Sequence, residues 1–133
     1  MQEITQEEQT KITQAIIKAA VLMLEFGAES ILIEQTAERL GTALGMNSVE
    51  MSLIPAAIVL TTLYNNQSVT TTRRVHHKPI NMSIVCDVQK MVIQIERNNY
   101  DANYVMNYLK NVQNYFYLKN LETFYQFLAH KKK

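Results

Sequence analysis

"AIVLTTLYNNQSVTTTRRV", Ala57 to Val75, is the stretch on which the fold turns. Its first part, Ala57 to Leu63, is β-branched and continuously apolar, as a central strand is. Tyr64-Asn65-Asn66-Gln67 reads as a turn, because asparagine tolerates the left-handed backbone that tight hairpins need. Ser68 to Val75 then returns as an alternating strand. Upstream, Val49, Met51 and Leu53 alternate with Glu50 and Ser52, the pattern of a half-buried strand, until Pro55 breaks it. Three consecutive strands with short links predict an antiparallel meander. Its core is expected at Leu60 with Ile58 or Val59.

On both sides the apolar period changes from two to 3.6. Thr5 and Glu8 form a capping-box pattern, and Ile12, Ile16, Ala19, Met23 and Phe26 follow at helical spacing, with Gly27 as the stop. Ile33, Ala37, Leu40 and Leu44 mark a second helix, begun by Glu29 and Ser30 and ended by Gly45. The short link predicts a helical hairpin. After Lys78-Pro79, the residues Ile84, Val85, Val88, Met91, Val92 and Ile95 trace another helical face. Cys86 falls inside that apolar pattern and is expected to be a small buried hydrophobe. Asp101 can cap a helix through Tyr104, Val105, Tyr108, Leu109 and Val112, and a separate short helix is expected over Leu118, Leu121, Phe124 and Leu128. The fold class is therefore α+β: an N-terminal helical hairpin, a three-stranded antiparallel meander, and C-terminal helices covering one face.

Composition narrows the function. The 133 residues form one expected domain, 47% hydrophobic and 19% charged, which is apolar enough for a core. A formal net charge of +1 gives no basic face for nucleic acid. A single cysteine forms no internal disulfide and fits a reducing compartment. No stretch approaches the roughly 18–20 apolar residues of a membrane span, so the chain is expected to be soluble and cytoplasmic. The closing Lys131-Lys132-Lys133 reads as a solvated end. No cofactor is expected: His76-His77 lacks further ligands at metal-site spacing, and three glycines make no phosphate loop. Ser30, Ser83 and Cys86 sit in no turn that would expose a nucleophile, so the enzyme reading stays open without local support.

The polar residues gather near Val69 to Val85. Arg73 and Arg74 alternate on a strand, so one meets solvent and the other can reach a covering helix and a carboxylate such as Glu29 or Glu38. A guanidinium suits a ligand carboxylate because it offers two parallel hydrogen bonds. Glu29 at a helix start is stabilised by the helix dipole whether or not it binds anything. His76 can titrate near neutrality. Asn81 reads most simply as a helix cap. Tyr100, Tyr104 and Tyr108 at i,i+4 spacing read as helix packing, or as an exposed contact surface.

Three segments in order, "FGAESILIEQTAERLGTALGM" (Phe26 to Met46), "AAIVLTTL" (Ala56 to Leu63) and "TTTRRVHHKPINM" (Thr70 to Met82), resemble the cytosolic N-terminal domain of the threonine/serine exporter family. The likeness is closest to the smaller-branch subunit of the two-component succinate (dicarboxylate) exporter, and it extends from about Ala19 to Glu96. The resemblance implies a core over 1–98 and a Tyr- and Asn-rich tail over 99–133 that would connect to a membrane region. It implies a gating or regulatory role that binds or senses an amino acid or dicarboxylate, with a membrane subunit or a second copy as partner. It places the parent protein in the bacterial inner membrane with this domain facing the cytoplasm. It also brings the alternatives of a hydrolase-like domain and a pure interaction module. Gly27, Ala28, Glu29, Ser30, Arg39, Leu40, Gly45, Thr72, Arg73, His76, Ile80 and Asn81 match its motifs, while Lys78-Pro79 departs from them. Through it, Glu29, Arg73, His76 and Asn81 are the expected polar cluster, either ligand-binding or structural.

Overall fold

The computed structural model describes residues 3–131. Seven elements follow in order: α1 (Gln6–Glu25), α2 (Ser30–Ala43), β1 (Ser48–Ile54), β2 (Ala57–Tyr64), β3 (Gln67–Arg74), α3 (Met82–Asn98) and α4 (Ala102–Lys131). The fold class is α+β as the sequence predicts, with the sheet in the order β1-β2-β3 and both pairs antiparallel. Lys132 and Lys133, the end of the basic run, lie outside the described residues.

The hairpin owes its register to its turn. Asn65 and Asn66 both have positive φ, 44° and 67°, the conformation whose twist matches that of the strands it joins. Tyr64 therefore pairs with Gln67, and three rows cross the sheet on its inner face: Val49–Thr62–Val69, Met51–Leu60–Thr71 and Leu53–Ile58–Arg73. Ile58, Leu60 and Thr62 are fully buried there. Val59, the other candidate, belongs to the outer row with Ser52 and Thr72 and is half-buried.

Helix α1 starts at Thr5, whose Oγ1 accepts the Glu8 N–H at 3.1 Å. It packs against β2, β3, α2, α3 and α4, and eleven of its residues are buried. α2 lies against β1 at Gly41, where a Cβ would come 2.2 Å from Val49 Cγ2. α3 turns Ile84, Val85, Val88, Met91, Val92 and Ile95 inward and ends at Asn99, which takes the left-handed conformation. The Arg39 guanidinium ties α2 to α3 through Glu96, with Nε donating at 3.2 Å. That hydrogen bond raises the Arg39 pKa further. The pair is half exposed and contributes on the order of 1 kcal/mol or less.

Two expectations are corrected. Cys86 is exposed. It stands on the side of α3 opposite the buried face, so the apolar run around it does not include it. The tail is one 30-residue helix, not two: no glycine, proline or left-handed residue interrupts Ala102–Lys131. The apolar stripe changes face partway along, and that change imitates a helix break. Tyr104 and Tyr108 are half-buried against the core, with Tyr100 stacked on Tyr104 at 4.2 Å, so the tyrosine stripe is packing. Among the described residues no helix is long and apolar enough to cross a membrane.

Leu60→Ala is expected to lower stability by about 2–5 kcal/mol, measured from the urea midpoint, because Leu60 is buried between Met51 and Thr71. Gly41→Ala is expected to destabilise by about 1–2 kcal/mol despite its better helix propensity, since the new methyl meets Val49. A rise in the midpoint would show that Val49 can move aside.

Candidate functional site

The chain after β3 is bound to the end of α1. The His76 N–H donates to Glu25 Oε2 at 2.9 Å, the Lys78 N–H to the Glu25 carbonyl at 2.9 Å, and the Asn81 N–H to the Phe26 carbonyl at 3.0 Å. Val75 is buried and donates to the Ala56 carbonyl, and His77 Nε2 donates to the Pro55 carbonyl at 2.9 Å. Gly27, at φ 98°, lets Ile80 come so near that a Cβ there would sit 2.9 Å from Ile80 Cγ1. Both family-like motifs, around Gly27 and around Asn81, thus meet at one corner.

Sequence reasoning missed Glu25. It is 8% exposed at the last position of α1, where the helix dipole disfavours an acid. That misplacement was the available signal: a carboxylate beside Leu22 and Phe26 at a helix C-terminus needs a donor, and the loop supplies one.

The four expected site residues fall into two groups. Glu29 is the N-cap residue of α2 and makes no side-chain capping bond. Asn81 caps α3, its Oδ1 accepting the Ser83 N–H at 3.1 Å. The His76 ring is exposed while its backbone is held by Glu25. These three stand around the α1–α2 corner. Arg73 instead lines a groove of about 320 Å³ with Gln14, Lys18, Arg74, Met106 and Gln113, over Val21 and Leu22. Among the described residues no hydrogen bond or ion pair joins the four side chains, and Arg73 meets neither Glu29 nor Glu38.

That groove gathers charge of one sign, as does an acidic groove lined by Glu34, Glu38 and Glu50. Lys18 comes from α1 and Arg73 and Arg74 from the end of β3, with Gln113 of α4 closing it. Among the described residues no carboxylate lies within ion-pair distance of the three cations. A larger open groove of about 520 Å³ between α2 and α3 carries mixed charge instead, with Glu38 and the Arg39–Glu96 pair. Among the described residues no group of histidine, cysteine or carboxylate side chains could hold a metal ion, and no hydroxyl or thiol is hydrogen-bonded to a histidine ring.

Comparison with known proteins agrees with the motifs at that corner. The family described as "Putative threonine/serine exporter", ThrE, matches residues 14–129. An uncharacterized protein of Haemophilus influenzae is 46% identical over 95 residues, covering 71% of this chain and 32% of that protein. A protein of Escherichia coli named "Probable succinate transporter subunit YjjP" is 44% identical over 95 residues, covering 71% of this chain and 37% of its own. The Klebsiella aerogenes protein of the same name is 44% identical over 94 residues, 71% of this chain and 36% of its own. The chain thus spans about a third of the length of the curated relatives it matches. No solved structure matches it. With the family match extending from α1 through nearly all of α4, the chain belongs to the threonine/serine exporter family.

Proposed function

We propose that this chain is a cytoplasmic, soluble gating or regulatory domain of an amino-acid or dicarboxylate exporter, and that it binds a small carboxylate metabolite in the Lys18–Arg73–Arg74 groove. The observation that carries this reading is three clustered cations with no neutralising carboxylate beside them among the described residues. Like charges held together repel, and an anion relieves that repulsion. A guanidinium can grip a carboxylate through two parallel bonds, and Lys18 adds a point charge. Gln14 and Gln113 offer neutral donors at the rim, and Val21 and Leu22 give a short apolar floor for an aliphatic linker. Two relatives named as probable succinate transporter subunits support the choice of a carboxylate.

In this reading Glu29, His76 and Asn81 are the structural half of the expected cluster. They stand at the corner where Glu25 and the Phe26 carbonyl hold the chain after β3, and that corner fixes where Arg73 and Arg74 stand. The parent protein would be in the bacterial inner membrane with this domain on the cytoplasmic side, beside a membrane subunit.

Calorimetric titration with succinate, threonine and serine, run beside a thermal melt, tests the proposal. Succinate is expected to give heat that weakens as salt rises, because the groove is open to solvent. Arg73→Gln is expected to abolish that heat while changing stability by less than about 0.5 kcal/mol, since Arg73 is exposed. No heat from any of the three, with a large fall in melting temperature for Arg73→Gln, would leave Arg73 a structural residue only.

A further inference from the structure

Helix α4 buries one face in its first half and shows a different apolar face in its second. Val105 and Leu109 are fully buried, Val112 and Phe116 pack on the core, and Phe116 meets Phe26 edge-on at 4.7 Å. From Tyr117 to His130 every side chain is exposed. Yet Tyr117, Leu118, Leu121, Phe124, Tyr125 and Leu128 fall on one side of the helix. At 3.6 residues per turn that side is rotated by about 150° from the buried one. Phe127 shares the continuation of the buried face with Lys119, Asn120, Thr123 and His130, all exposed, and the second stripe, turned by that angle, faces away from this chain's own core.

We propose that this stripe pairs with the same stripe of a second copy, as a parallel two-stranded coiled coil. The spacing carries the argument. Leu118, Leu121, Tyr125 and Leu128 repeat at three and four residues, the seam of such a coil, with Tyr117 and Phe124 flanking it. Asn111 and Asn114 continue the seam toward the body, both exposed. Asparagine in a seam satisfies its amide best against its own copy in register, and so selects two parallel strands. Parallel alignment also sets Tyr117 near Glu122 and Phe124 near Ala129 of the other copy, with no like charges facing. The six side chains are 39–66% exposed and offer on the order of 700 Å², close to the ~800 Å² per partner of a standard interface. The pairing needs no ligand in the basic groove.

Sedimentation of the full chain over a wide concentration range reads the association. The 15.3 kDa species is expected to double in mass as concentration rises. Leu118→Glu combined with Leu121→Glu is expected to stay monomeric throughout with an unchanged melt, and Gln126→Glu, on the other side of the helix, to associate like the parent. For direction, Asn114→Cys in a Cys86→Ser chain is expected to oxidise to a covalent dimer, because only parallel pairing brings the two residues 114 together. A parent chain that stays monomeric at the highest concentration overturns the proposal, as does association untouched by the double substitution. Association without the residue-114 cross-link overturns the parallel arrangement. A monomer that floats with anionic phospholipid vesicles only when Leu118 and Leu121 are intact gives the stripe to a lipid surface instead.

Discussion

Most of the circumference of α1 must be covered, and the other elements are arranged to do it, leaving one strip with Lys11, Gln14 and Lys18 uncovered. Ala15, Ala19 and Ala20, all nearly inaccessible, keep the middle of the helix thin, while Ile16, Ile17, Leu22 and Met23 fill the space between it and its neighbours. A helix buried over most of its surface loses water from most of its apolar side chains, which is favourable only if each of those directions finds a packed surface. Here β2 and β3 supply one side, and α2, α3 and α4 the rest. The basic groove is a by-product of this arrangement. Lys18 stands at a gap in that cover, where the end of β3 and the middle of α4 fail to meet.

The same helix carries a polar strip into the interior. Thr13 Oγ1 donates to the Gln9 carbonyl and lies 2.7 Å from Thr62 Oγ1 on the central strand. Gln9 Nε2 donates to the carbonyls of Thr62 and Gln67, each at 3.2 Å. All three side chains are fully buried, and among the described residues Gln9 Oε1 has no hydrogen-bond partner. Buried hydrogen bonds of this kind add little net stability when satisfied and are costly when broken. Their effect is to penalise any slip of α1 along the hairpin, because a shift of one turn would strand several polar atoms at once.

The strands were legible because β-branched runs, alternation and the Asn-Asn turn agree with one another, and the register followed from the turn. The helices were legible where their apolar faces were regular. Two kinds of information were not. A change of apolar face within one helix looks like two helices, as in α4, because periodicity is read over short windows and nothing in the sequence marks continuity. Contacts between distant elements, such as Glu25 with the backbone of His76 or Gly41 with Val49, depend on packing that no local pattern encodes. For the same reason Arg73 could be picked out and its neighbours could not: Lys18 and Gln113 lie 55 and 40 positions away along the chain. The family motifs marked the corner that holds the loop and, of the groove beside it, Arg73.

The covered state of α1 also has a consequence in time. Its partners are distant in sequence: Gln9 reaches a strand 53 residues later, and α4 begins 77 positions after α1 ends. At the ribosome's pace of about 5–20 residues per second, α1 waits roughly 4–15 s for its last neighbour. During that interval its apolar circumference is open to other nascent chains. High contact order of this kind slows spontaneous folding as well, because the loop-closure entropy comes due before the burial that offsets it. Synthesis of this domain should accordingly be sensitive to chaperone supply, even though the finished core is dense and continuous.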